Sequence, residues 1–140
     1  MSALPIHSAV VCGLSILLLT GLSMHVSRVR LRHRIFLGAG DVKELEVAIR
    51  AHGNAVEHLT PLLLLLVVYE LLGARKLMVD MFGLAIITGR ICHAAGYLGR
   101  VGVLQQTGVA LTYATEAALG LVVIMKAFMI TTRPSAASVA

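Results

Sequence analysis

The chain has 140 residues, 58% of them hydrophobic and only 14% charged, with a mean hydropathy of +0.89. A soluble domain averages about 25% charged residues, so this composition excludes an ordinary soluble globular protein and points to one membrane domain. The net charge of +5 comes from basic residues clustered between apolar runs; without interleaved aromatics to stack bases, that pattern excludes nucleic acid as a partner and suits anionic lipid head groups.

The first apolar run, Ile6 to Met24, holds no Lys, Arg, Asp or Glu. It matches the roughly 20 residues that cross a bilayer core, and predicts a helix over 5–27. No secretory signal peptide is expected, because the first residues carry no basic segment. Arg28, Arg30, Arg32, His33 and Arg34 then form a basic stop, and Gly38, Gly40 and Asp41 mark a loop. Cys12 and Cys92 show no metal or redox spacing and read as small buried hydrophobes.

A second helix is predicted over 42–72, polar from Glu44 to His58 and apolar from Leu62 to Tyr69, with Pro61 between the halves. At about 100° per residue, Glu46, Arg50, Gly53, Asn54 and Glu57 share one stripe of this helix. Such a stripe is either a structural network of neighbours one turn apart or a binding face. Glu70 and Asp80 lie near helix ends and are expected to be solvated.

The third helix, predicted over 77–98, stacks Arg90, His93 and Tyr97 on one face of an apolar segment. An arginine there needs an anion, because its charge cannot be shed. Glu57, Glu116 and a ligand carboxylate are the candidates, and the simplest reading of Glu116 is as counter-ion to Arg90. The fourth helix, predicted over 106–130, carries Gln106, Tyr113, Glu116 and Gly120 within one face. Residues 133–140 are expected to be disordered.

The architecture these runs predict is an all-α, four-helix, up-down membrane bundle. Basic residues outweigh on the side of the 1–2 and 3–4 loops, so the 1–2 loop is expected in the cytoplasm of a multi-pass protein of the cell inner membrane. In that topology the polar ends of all four helices meet at one face. Arginines with interspersed Glu, Asn and Tyr suit a ligand with two carboxylates and one amine.

The segment Arg50-Ala51-His52-Gly53-Asn54-Ala55-Val56-Glu57, followed by Pro61, resembles the signature of the MAPEG family, membrane-associated proteins in eicosanoid and glutathione metabolism. The segment Arg90-Ile91-Cys92-His93-Ala94-Ala95-Gly96-Tyr97 resembles that family's third-helix motif, and length and layout extend the resemblance over nearly the whole chain. The likeness is greatest to the short bacterial branch. It implies a homotrimer with glutathione held between subunits. It also implies that Arg30, Arg50, Asn54, Glu57, Arg90, His93 and Tyr97 bind the tripeptide, and that the thiol attacks a lipophilic electrophile or a hydroperoxide. In the prostaglandin-synthase branch an Arg-Ser pair opens the fourth helix beside the thiol, whereas this chain has Gln106-Thr107. Arg100, Thr107 and Tyr97 then remain as the residues to act on the thiol. A glutathione binder without turnover is the first alternative. A small transporter or interaction protein is the other.

Overall fold

The computed structural model describes residues 4–132; the segment 133–140, for which disorder is expected, lies outside the described residues. Four helices follow in chain order: α1 (Ile6–His33), α2 (Lys43–Leu71), α3 (Lys76–Gly99) and α4 (Gly102–Thr131). All four are long and apolar enough to cross a membrane. No strand occurs among the described residues.

Helix α1 does not stop at its basic run. It continues to His33, so Arg28, Arg30 and Arg32 ride on its last turns, where positive charge suits the carbonyl end of a helix. Arg34 then ends it in the left-handed region (φ 55°), its N–H reaching the Arg30 and Leu31 carbonyls. Helix α4 likewise begins at Gly102 rather than near 106, leaving only Arg100 and Val101 between it and α3. Helix α2 runs unbroken through Pro61. Proline lacks the N–H that would serve the Glu57 carbonyl.

The bundle has a rhombic section. Helices α2 and α3 touch along the short diagonal, α1 packs on both, α4 packs on both, and α1 and α4 do not meet. Leu59, Leu62 and Leu66 of α2, Val79 and Ile86 of α3, and Leu119 of α4 form the buried core. Large apolar side chains such as Leu14, Leu17, Leu121, Ile124 and Phe128 are left outside. That inversion is what a lipid-solvated bundle shows, since hydrocarbon replaces water as the neighbour.

Helix α3 approaches α4 through glycine. A Cβ on Gly96 would collide with the backbone of Leu104 and Gln105, and one on Gly108 with the backbone of His93 and Gly89. Small residues at such crossings let two membrane helices come close enough for dispersion to hold them. This approach presses the Arg90–His93 segment against α4.

The opposite end of the bundle corrects one expectation. Glu70 is not solvated but buried, and its carboxylate accepts the backbone N–H groups of His7 (3.1 Å) and Ser8 (2.7 Å). The first turn of a helix has N–H groups without intrahelical acceptors, and α1 has no capping side chain of its own, so α2 supplies one. Asp80 is exposed as expected and pairs with His7 Nδ1 at 2.7 Å. Lys126 Nζ donates to the carbonyls of Leu72 (3.1 Å) and Gly73 (2.6 Å), capping α2 from α4.

Candidate functional site

Arg90 is the largest fully buried side chain among the described residues, only 1% exposed. Counting about 1.5 Å per residue from the end of α3, it lies roughly 15 Å inside the bundle. Its Nη2 donates to Asn54 Oδ1 of α2 at 2.7 Å and lies 3.3 Å from His93 Nδ1. Its Nη1 reaches Thr112 Oγ1 of α4 at 3.4 Å. Thr112 can accept there because its own proton goes to the Gly108 carbonyl, 2.8 Å away. Arg90 Nε has no partner.

Every one of these partners is neutral or cationic. No carboxylate of the described residues lies within ion-pair distance of Arg90. Glu116, expected as its counter-ion, makes no direct pair: its Oε1 is held by His58 Nδ1 at 2.7 Å, across the α2–α4 contact, and it acts on the guanidinium only through space. Glu57 is no partner either, since it faces outward from α2. A guanidinium taken out of water is strongly disfavoured unless an anion meets it, and no carboxylate of the described residues touches this one.

His93 is buried beside Arg90, and the Tyr97 ring stacks on it with centroids 5.9 Å apart and planes inclined by 18°. Their spacing of one turn places phenol over imidazole. Arg90, His93 and Tyr97 thus share the face of α3 that their spacing implies, and the packing of α2 on α3 brings Asn54 to them.

The remaining candidates are not part of that cluster within one subunit. Arg50 and Glu57 are exposed on the outward face of α2, together with Glu46. Arg30 is half-buried and donates to the carbonyls of Gly38 (2.8 Å) and Ile35 (3.4 Å), bracing the 1–2 loop. Arg100 is exposed and ends α3 in the left-handed region (φ 56°). Thr107 is exposed and donates to the Val103 carbonyl of its own helix at 2.9 Å. Gln106 is exposed beside it. One concavity of about 340 Å³ lies between α1 and α2, lined by Ser23, Ser27 and His52, and an apolar one of about 260 Å³ lies between α3 and α4; neither is lined by Arg90, His93 or Tyr97.

Two participants escaped the sequence reading. Thr112 gives no signal, because a threonine in an apolar helix ordinarily satisfies itself on the preceding turn. His58 lies off the α2 stripe, and only its being an ionisable group in a spanning helix marked it. Among the described residues no group of three metal-ligating side chains converges.

The sequence profile of the MAPEG family matches residues 8–125, which takes in all of the cluster. The chain belongs to the MAPEG family. This MAPEG chain is 37% identical over 106 residues to the inner membrane protein YecN of Escherichia coli K12, covering 76% of this chain and 81% of that protein. It is 31% identical over 93 residues to prostaglandin E synthase of Rattus norvegicus, covering 58% of this chain and 61% of that enzyme. With the Homo sapiens prostaglandin E synthase it shares 31% over 86 residues, covering 53% and 57%.

Proposed function

We propose that this MAPEG protein binds glutathione and uses its thiol against lipophilic electrophiles or hydroperoxides, as a membrane transferase or peroxidase. The observation that carries this reading is Arg90, fully buried, in hydrogen-bond contact only with Asn54, Thr112 and His93, and with no carboxylate of the described residues within ion-pair distance. A carboxylate of the tripeptide supplies the missing anion. His93 and Tyr97 line the same wall, where the phenol can donate to the sulfur. A hydrogen bond or a nearby guanidinium favours the thiolate, which is the nucleophile. The membership in MAPEG and the likeness to prostaglandin E synthases support the same chemistry.

The outward face of α2 argues for more than one copy. Glu46, Arg50 and Glu57 face away from their own bundle on a spanning helix, where lipid is a poor solvent for charge. A homotrimer covers that face with a second subunit and brings Arg50 and Glu57 to a shared glutathione. Arg30, at the end of α1, lies at the same face of the bundle. The likeness to YecN fits an inner-membrane location, and the basic 1–2 loop fits the cytoplasmic side.

A second reading, binding without turnover, is favoured by one observation. Gln106 is uncharged where the prostaglandin-synthase branch places an arginine, Arg100 is occupied in ending α3, and Thr107 is satisfied within its own helix.

Titrating the detergent-purified protein with glutathione while following thiolate absorbance tests both readings. Binding with a rise in thiolate supports the enzyme, and binding without that rise supports the silent binder. Arg50→Ala and Arg90→Ala are each expected to abolish binding while the trimer persists by light scattering. Normal binding by Arg90→Ala would overturn the site.

A further inference from the structure

The glutathione reading uses neither His58 nor Glu116. Yet the other ion pairs among the described residues sit at helix ends, while this pair lies near the midpoints of α2 and α4. His58 Nδ1 lies 2.7 Å from Glu116 Oε1, and an ionised carboxylate, which only accepts hydrogen bonds, selects the tautomer in which Nδ1–H donates. That leaves Nε2 as the ring's free atom. It has no hydrogen-bond partner and is not sealed in: the buried unpartnered side-chain atoms among the described residues are Ser15 Oγ and Arg90 Nε.

The pair also keeps side-chain exposures of 19% and 30% at a depth where hydrocarbon is the surroundings. The Tyr113 ring stands on the same flank, its centroid 5.6 Å from that of His58 and tilted by 54°, and it is 57% exposed. Tyr113 and Glu116 belong to α4, His58 to α2, so these partly exposed side chains lie along the α2–α4 seam. His58 follows Asn54 by one turn, which sets it about 6 Å deeper in the membrane than the Arg90–Asn54 level. A charged tripeptide belongs at the shallower level. A substrate dissolved in the bilayer arrives at the deeper one.

We infer that His58, oriented by Glu116 and flanked by the Tyr113 phenol, is a general acid that selects lipophilic co-substrates whose reaction releases a basic oxygen, organic hydroperoxides foremost. The inference rests on the glutathione reading. The glutathione sulfur attacks the terminal oxygen of the hydroperoxide; an S–O bond forms and the O–O bond breaks. The departing alkoxide takes the Nε2 proton of the His58 imidazolium, which becomes the neutral ring held by Glu116 through Nδ1–H, and leaves as an alcohol, while glutathione is oxidised to its sulfenic acid. A second glutathione converts that to the disulfide and water, and the proton first released by the attacking thiol restores the imidazolium. An imidazole fixed by a carboxylate is suited to such a transfer.

The test compares two co-substrates on the full-length protein in detergent: cumene hydroperoxide, whose alkoxide needs a proton, and chlorodinitrobenzene, whose chloride leaves without one. For His58→Gln the ratio of hydroperoxide to aryl-halide turnover is expected to fall about a hundredfold, the usual scale of general acid catalysis. Glutathione binding, read by the same thiolate titration, establishes the underlying reading separately. Glu116→Gln keeps a hydrogen-bond acceptor for Nδ1, removes the charge, and decides the matter if His58→Gln fails to fold; it should lower the same ratio at least about tenfold. An equal loss on both co-substrates, or no loss on either, assigns the pair a structural role and overturns the inference. A wild-type protein that conjugates the aryl halide but leaves the hydroperoxide untouched overturns it while sparing glutathione chemistry. Failure of the wild type to bind glutathione overturns both.

Discussion

The two ends of the bundle treat charge in opposite ways. At the end where α1 begins, charge is spent on backbone: buried Glu70 takes the first N–H groups of α1, and half-buried Lys126 takes the carbonyls of Leu72 and Gly73 just past α2. At the other end, Arg90 is buried deeper than either and meets only Asn54, Thr112 and His93. The first arrangement is complete in itself and holds helices together. The second has no carboxylate in contact, which is the place the proposed glutathione would fill. Burial of a charge is therefore no guide to its role until its partners are counted.

That contrast can be broken by substitution. The largest effect is expected at Gly108, on which the α3–α4 contact beneath Arg90 depends. Gly108→Val drives a side chain into the backbone of His93 and Gly89, and should lower stability by about 3 kcal/mol or more, read as an earlier thermal unfolding in detergent, with glutathione binding lost as well. Next is Glu70→Ala. It strands two N–H groups in a buried setting and should lower stability by about 2 kcal/mol while leaving glutathione affinity where it was. A loss of affinity there would erase the distinction between the two ends.

The smallest effect on stability is expected at the most deeply buried charge. Arg90→Met removes a guanidinium that has no carboxylate, so the unliganded protein should change by less than about 1 kcal/mol or gain stability. Its glutathione binding should vanish all the same. A marked destabilisation instead would class Arg90 with Glu70 as a structural residue.

Much of this was legible in the chain. Four apolar runs of spanning length determine four helices, because a bilayer leaves backbone groups no other way to be satisfied. One-turn spacing placed Arg90, His93 and Tyr97 on a common face, and the stacked rings follow from it. The helix ends were less legible. The basic run of α1 reads as a stop, yet positive charge favours the end of a helix and carried it on to His33.

What one helix does to another had no sequence signal. Periodicity gives the angle of a side chain about its own axis, and the neighbour that angle meets depends on how the helices cross. The α2 stripe divides for this reason: Asn54, at its edge, turns in to Arg90, while Arg50 and Glu57 stay outside. Glu116 was free by sequence to serve Arg90, and the crossing of α2 over α4 gave it to His58. The sequence by itself determined a membrane-spanning four-helix protein with an arginine-bearing face on its third helix, because length, hydropathy and helical period are properties of single segments. Only the tertiary structure decided that Arg90 would lie among neutral groups and that Glu70 would cap a foreign helix, because hydrogen bonds between segments depend on distances that the glycine-lined contacts set.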